Sequence, residues 1–148
     1  MQSEKINFVK TTAKDWPTIL DFELSEIENQ IYKPIIDINE LKKYFSKSVI
    51  YKVLFSNRLV GYCAYELNDD EAEITALLVL KEFRNKGVGK IMMNKMLDDL
   101  KSIKKIKVIT SPKNIFALRI YQKNGFVIKE RIENYWKGEP RLILYLIK

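Results

Sequence analysis

None of the 148 residues is a histidine. That absence removes Ser-His and Cys-His catalysis, since both need an imidazole to take the proton. It also argues against a structural zinc site, which draws on histidine and cysteine, and no metal is expected. Cys63 is the single cysteine, so no internal disulfide can form. It lies in the apolar stretch Gly61-Tyr62-Cys63-Ala64-Tyr65, with no base beside it, and reads as a buried core thiol. No apolar run approaches the length of a membrane span, and the N-terminus lacks a hydrophobic signal region. The expectation is a cytoplasmic protein with no membrane partner.

The sequence shows no repeat, no low-complexity tract and no linker, so a single domain over 1–148 is expected. That length suffices to bury a core. The net charge of +7 is spread along the chain rather than blocked. Such a surface attracts anions. Its one dense basic cluster, Lys101 to Lys107, looks like a helix end running into a strand, where basic residues suit the helix dipole. No nucleic-acid motif accompanies the charge, and no aromatic stacking platform interleaves it, so nucleic acid is not an expected partner.

Hydrophobic periodicity predicts seven strands and four helices. Residues 6–10 read as a first strand. Asp15 is a candidate cap for a helix opening at Trp16-Pro17, with Ile19, Leu20, Phe22, Leu24 and Ile27 on its apolar face. Asn39 is a candidate cap for a second, short helix carrying Leu41, Tyr44 and Phe45. Strands over 49–55, 59–67 and 71–80 form an antiparallel meander. The end of the third, Leu77-Leu78-Val79-Leu80, is apolar on both faces, so one side must meet something other than water. A long helix is predicted over 88–102, with Met92, Met96 and Leu100 at i, i+4 spacing. Then come a strand over 106–111, a helix over 115–123 capped by Asn114, and strands over 126–132 and 142–147. A connection over 134–140 joins the last two.

Two motifs carry chemistry. Arg84-Asn85-Lys86-Gly87-Val88-Gly89-Lys90 lies between an apolar strand and the long helix. Gly87 and Gly89 allow a tight bend and a close approach of ligand to backbone. The helix that follows directs its free N–H groups and positive dipole end at the loop, a natural seat for phosphate oxygens. Arg84, Lys86 and Lys90 add positive charge. The string is neither a Rossmann fingerprint nor a P-loop. The second motif is Asn114-x-x-Ala117-x-x-x-Tyr121-x-x-Asn124-Gly125-Phe126, on the next helix.

Together the two motifs resemble the signatures of the GNAT superfamily of acetyl-CoA-dependent N-acetyltransferases, in the right order from about residue 49 to the C-terminus. Arg84, Gly87 and Gly89 match the Arg/Gln-x-x-Gly-x-Gly/Ala signature. The resemblance implies an α/β (α+β) GNAT fold: a mixed, mostly antiparallel sheet splayed at the acetyl-CoA site. It implies that Leu77, Leu78 and Val79 pair with the pantetheine arm. A backbone N–H there would hold the thioester oxygen as charge develops on it. Arg84, Asn85, Lys86, Gly87, Val88, Gly89 and Lys90 would hold the pyrophosphate, and Asn114 the CoA arm. Tyr121 would protonate the departing thiolate, and a phenol with a reference pKa of about 10 keeps its proton at neutral pH.

The tail, Arg131-Ile132-Glu133-Asn134-Tyr135-Trp136 with Gly138-Glu139-Pro140, resembles protein N-terminal acetyltransferases, the ribosomal-protein alanine type most of all. On that resemblance Tyr32 and Tyr135 would line the acceptor channel, with Trp136 a lesser candidate. That type carries a glutamate base five residues before the asparagine, where this chain has Ile109. Glu73 is the best replacement, through a bridging water, and Glu71 a poorer one. The acceptor is therefore expected to be a protein N-terminal α-amine. The alternatives are a small-molecule amine or a non-catalytic acyl-CoA-binding module. The oligomeric expectation is a monomer or a homodimer.

Overall fold

A computed structural model of the chain describes residues 5–27 and 33–148. The elements run β1 (Ile6–Lys10), α1 (Trp16–Leu24), α2 (Ile38–Tyr44), β2 (Ser48–Phe55), β3 (Arg58–Asn68), β4 (Glu71–Val79), α3 (Val88–Asp99), β5 (Lys105–Thr110), α4 (Ile115–Lys123), β6 (Val127–Trp136) and β7 (Glu139–Ile147). All strands join one sheet in the order β1-β2-β3-β4-β5-β7-β6. Neighbours are antiparallel except β4 and β5, which α3 joins as a parallel crossover. The mixed α/β architecture expected from the sequence is what forms.

The sheet separates two apolar cores. Met92, Met93 and Met96 of α3 pack on one face with Ile106, Val108 and Leu144, all essentially inaccessible. Ile19 and Phe22 of α1 and Leu41 of α2 pack on the other with Phe45, Tyr62 and Leu78. Each helix supplies one apolar stripe, and the strands supply alternate residues to each layer. No helix among the described residues is long and apolar enough to cross a membrane.

The sheet opens at its centre. β4 pairs with β5 only from Glu71 to Ile74, against Lys105 to Val108. Past that point β5 continues along β7 as far as Thr110, while β4 continues along β3 as far as Val79. A bulge marks the parting: Tyr65 pairs with Ile74 and Ala64 with Ala76, so Thr75 is the extra residue on β4. Bulges bend the strand that carries them, and this one turns the end of β4 away from β5.

Several local expectations are corrected. Asp15 precedes α1 but makes no side-chain cap to it. Its carboxylate instead accepts from the Thr12 N–H and pairs with Lys52 at 2.8 Å. Asp37, not Asn39, caps α2, accepting from the Glu40 N–H at 2.9 Å. Leu24 and Ile27 are exposed rather than on the buried face of α1. α3 stops at Asp99, three residues short of the predicted end. The last hairpin is longer than predicted: only Lys137-Gly138 turns, with φ of 49° and 82°. Positive φ at both positions suits the twist of flanking strands, and after an irregularity between Ile132 and Trp136 the pairing resumes with Trp136 against Glu139. Tyr135 and Trp136 thus sit on a strand, not in a loop.

Candidate active site

The parting of β4 from β5 leaves a cavity of about 210 Å³. Residues 74–78 of β4 and 108–110 of β5 form its walls, with Asn114 and Tyr121 on one side and Tyr44, Tyr135 and Trp136 on another. Strand alternation fixes what β4 offers it. The Leu80 N–H donates to the Val60 carbonyl of β3 at 2.8 Å. Backbone groups of an antiparallel strand alternate sides, so Leu78 also faces β3, and Leu77 and Val79 face away. The Val79 carbonyl is taken by Arg84 Nε at 2.8 Å. What remains along the open edge is Leu77 N–H, Leu77 C=O and Val79 N–H. Leu78 was expected to pair through its backbone with the pantetheine arm; its backbone groups are turned to β3 instead, although the residue lines the cavity.

Tyr121 is buried and lines the cavity. Burial, with smaller contributions from Tyr44 and Cys63, pushes its pKa well above the ordinary tyrosine value, so it holds its proton. Glu73 also lines the cavity, with a side chain 16% exposed and Lys107 Nζ at 3.5 Å. Burial raises its pKa above the usual glutamate range; Lys107 opposes that rise and Glu66 adds to it. Ile109, at the position of the missing base, is another wall residue. Cys63 is fully buried with its thiol pKa pushed up, and it behaves as a core residue.

Tyr44 is the site residue that sequence reasoning assigned only to an apolar face. It ends α2 and lines the cavity. The residue keeps 47% of its surface exposed, yet desolvation around its hydroxyl, and then the charge of Glu73, raise its phenol above the ordinary value. Its only sequence signal was an aromatic in the last turn of a short helix. Tyr135 lines the cavity as expected, while Tyr32 lies outside the described residues. Trp136 is tied across the top: its Nε1 donates to the Lys33 carbonyl at 3.2 Å, and Lys33 Nζ donates to the Lys137 carbonyl at 2.8 Å.

Beyond the end of β4 lies the glycine loop. Asn85 and Gly87 both take positive φ, 61° and 84°. No atom lies within 4 Å of where a Gly87 side chain would begin. The first helical bond of α3 runs from the Ile91 N–H to the Gly87 carbonyl. The N–H groups of Val88, Gly89 and Lys90 therefore precede the helical ladder, and no acidic residue stands in that first turn. Two expectations change. Gly89 has a packing role that its motif does not show: a Cβ there would meet Ile120 at 2.7 Å and Phe116 at 2.8 Å of α4. Arg84 is turned inward, its Nη2 on Glu26 and its own N–H on the Lys81 carbonyl at 3.3 Å. Asn114 Oδ1 caps α4 by accepting from the Ala117 N–H at 3.1 Å, which leaves its amide donors for the cavity.

The open strand edge, the phenol beside it and the bare helix start match a known family. The model of the acetyltransferase (GNAT) family aligns with residues 12–126 of this chain. The chain belongs to the GNAT family. Over 94 residues it is 39% identical to the uncharacterized protein YxbD of Bacillus subtilis, covering 60% of this chain and 58% of that protein. Over 90 residues it is 28% identical to the N-terminal acetyltransferase B complex catalytic subunit NAA20 of Arabidopsis thaliana, covering 56% and 52%. The chain thus spans about half the length of these curated relatives. Among solved structures, the ribosomal-protein-S18-alanine N-acetyltransferase of Escherichia coli superposes with a TM-score of 0.81 at 15% identity, covering 96% of this chain and 93% of that one. Spermidine/spermine N-acetyltransferase SpeG of Vibrio cholerae reaches 0.73 at 17%, covering 98% and 94%. At such identities the likeness is one of GNAT fold.

Proposed function

We propose that this GNAT protein moves an acetyl group from acetyl-CoA directly to a primary amine, and that the amine is a protein N-terminus. The observation that carries the proposal is the free edge of β4, which opens on the same cavity as the Tyr121 hydroxyl. Leu77 N–H and C=O and Val79 N–H offer the pantetheine arm a strand to pair with. One such N–H is the candidate donor to the thioester oxygen as it becomes negative. The N–H groups at the start of α3, opened by Gly87, suit the pyrophosphate, with Asn85, Lys86 and Lys90 beside them.

The chemistry asks little else of the chain. The amine nitrogen attacks the thioester carbon, the new C–N bond forms, and the C–S bond breaks. Tyr121 gives its proton to the departing sulfur. No covalent enzyme intermediate is involved, so the lack of histidine carries no penalty. Glu73 is the candidate base, acting through water, and burial moves its pKa toward the range a base needs. An α-amine has pKa about 7.7–8.0, so roughly one in ten is already neutral at pH 7, against a few in ten thousand for a lysine of pKa about 10.4. A site whose base is a modest carboxylate suits the α-amine. The aromatic set Tyr44, Tyr135 and Trp136 would hold the first residue of the acceptor. A small amine is the second reading, favoured by the tie between Trp136 and Lys33, which limits how much chain the cavity admits.

The test is thiol release from acetyl-CoA against short peptides and small amines. Turnover with free N-terminal peptides, and none with N-blocked lysine-containing ones, would establish the N-terminal reading. Turnover with small amines alone would replace it with the second. CoA binding without release from any acceptor would leave an acyl-CoA-binding module.

A further inference from the structure

We infer that Arg84, the first residue of the glycine-loop signature, is a positioning residue that works with Glu26 and not a ligand of the phosphates. The inference rests on the acetyl-transfer reading of the cavity. Two side-chain nitrogens of Arg84 and its backbone N–H are engaged on the protein's own groups. Nε holds the Val79 carbonyl at 2.8 Å, Nη2 holds Glu26 Oε1, and the backbone N–H holds the Lys81 carbonyl. Glu26 is only 4% exposed, although it is a charged residue in the turn after α1. A carboxylate that deep is retained where it has a cation to meet. The two residues are 58 apart in sequence, so only the fold brings them together.

The consequence falls on the edge of β4. Holding the Val79 carbonyl fixes the last peptide of the strand. It thereby fixes the direction of the Val79 N–H and the line of the open edge. The end of α1 reaches further. Glu23, three residues before Glu26 and equally buried, accepts from the Ile35 N–H at 3.0 Å and the Tyr62 hydroxyl at 2.8 Å. Ile35 lies two residues past Lys33, where the tie to Trp136 is made. The end of α1 and the turn after it thus carry two buried carboxylates. One references the donor edge through Arg84, and the other references the acceptor roof through Ile35. Their spacing sets how far apart the thioester and the amine are held, a distance on which transfer depends steeply.

The experiment compares two acetyl donors, acetyl-CoA and S-acetyl-pantetheine, which lacks the phosphates and nucleotide. Arg84→Gln, Arg84→Lys, Glu26→Gln and the Glu26→Gln/Arg84→Gln pair are assayed well below each variant's melting midpoint. The expected result is a loss of kcat/KM in Arg84→Gln by about ten- to a hundredfold, equal for both donors. Glu26→Gln should move the same way by less, and the double variant should be no worse than Arg84→Gln alone. A loss confined to acetyl-CoA, with Glu26→Gln silent, would make Arg84 a phosphate ligand and overturn the inference, as would no loss on either donor. Should the natural sequence release no thiol from either donor, the acetyl-transfer reading fails on its own. Hydrogen exchange then decides the strut: faster exchange at Leu78 and Leu80, whose N–H groups face β3, in Arg84→Lys or Glu26→Gln supports it, and unchanged exchange overturns it.

Discussion

Under the proposed reaction two cavity residues would carry opposite proton duties, and burial raises the pKa of both. Tyr121 is pushed up and keeps its proton, which suits an acid facing a leaving thiolate. Tyr121→Phe removes the proton and almost no volume. It should lower kcat by about 10²–10⁴-fold, the usual worth of a general acid, with CoA affinity in calorimetry nearly unchanged. Glu73 is pushed up as well, but must be ionised to act as a base. The advantage of the natural sequence over Glu73→Gln should therefore be constant at high pH. It should fade as pH falls through the Glu73 pKa, which lies above the ordinary glutamate range. A kcat/KM profile with the same ratio at every pH would remove Glu73 as the base.

At the scale of elements, the two glycines of the loop do different work despite their shared motif. Gly87 supplies a left-handed turn with open space around it, whereas Gly89 lets α3 settle on α4. Gly87→Ala should cost about 1–2 kcal/mol from the positive φ alone and weaken CoA binding by shifting the N–H groups beyond it. Gly89→Ala should cost about 1–3 kcal/mol by overpacking against Phe116 and Ile120, read as a lower urea midpoint, with the larger share of the damage in stability. The far end of α3 is anchored differently. Asp99 accepts from the hydroxyls of Tyr51 and Tyr65 on β2 and β3, and Lys95 pairs with it at 3.2 Å. Although burial works against the charge, those partners hold its carboxyl below the usual range. The helix is thus pinned to the sheet at the end away from the loop.

At the scale of the whole molecule, the cavity is closed by parts of the chain about a hundred residues apart. The Trp136 indole meets the Lys33 carbonyl, and Lys33 meets the Lys137 carbonyl in return. Trp136→Phe removes the first of these bonds while keeping an aromatic wall. A hydrogen bond worth about 0.5–1.5 kcal/mol converts to roughly a two- to tenfold rise in acceptor KM. Acetyl-CoA affinity should not move, because the β4 edge and the start of α3 lie elsewhere. A matching fall in both affinities would mean that the hairpin supports the sheet instead of the acceptor roof.

Much of this molecule was legible in its residues. Period-2 and period-3.6 patterns located all seven strands and four helices, because each element buries one face against the sheet or the helices. The glycine loop and the Asn114–Phe126 string were readable because they are local: a turn, a helix start and a cap lie within a few residues of one another. Glu73, Leu77, Asn114, Tyr121 and Tyr135 were named from the chain and do meet at one cavity. What the sequence left open was every relation made across space. Nothing in the string Arg84-Asn85-Lys86 says that the guanidinium turns inward to Glu26. Nothing near Gly89 says that its missing side chain makes room for Phe116 and Ile120. Tyr44 read as an apolar-face residue because the helix that carries it is short and its neighbours in space come from other strands. The chain by itself determined the elements, the GNAT signatures and the polar groups available for chemistry, all of which follow from short-range pattern. Only the tertiary structure decided which of those groups face the cavity and which brace it, because that depends on where a bulge at Thr75 parts two strands and on partners brought together from dozens of residues away.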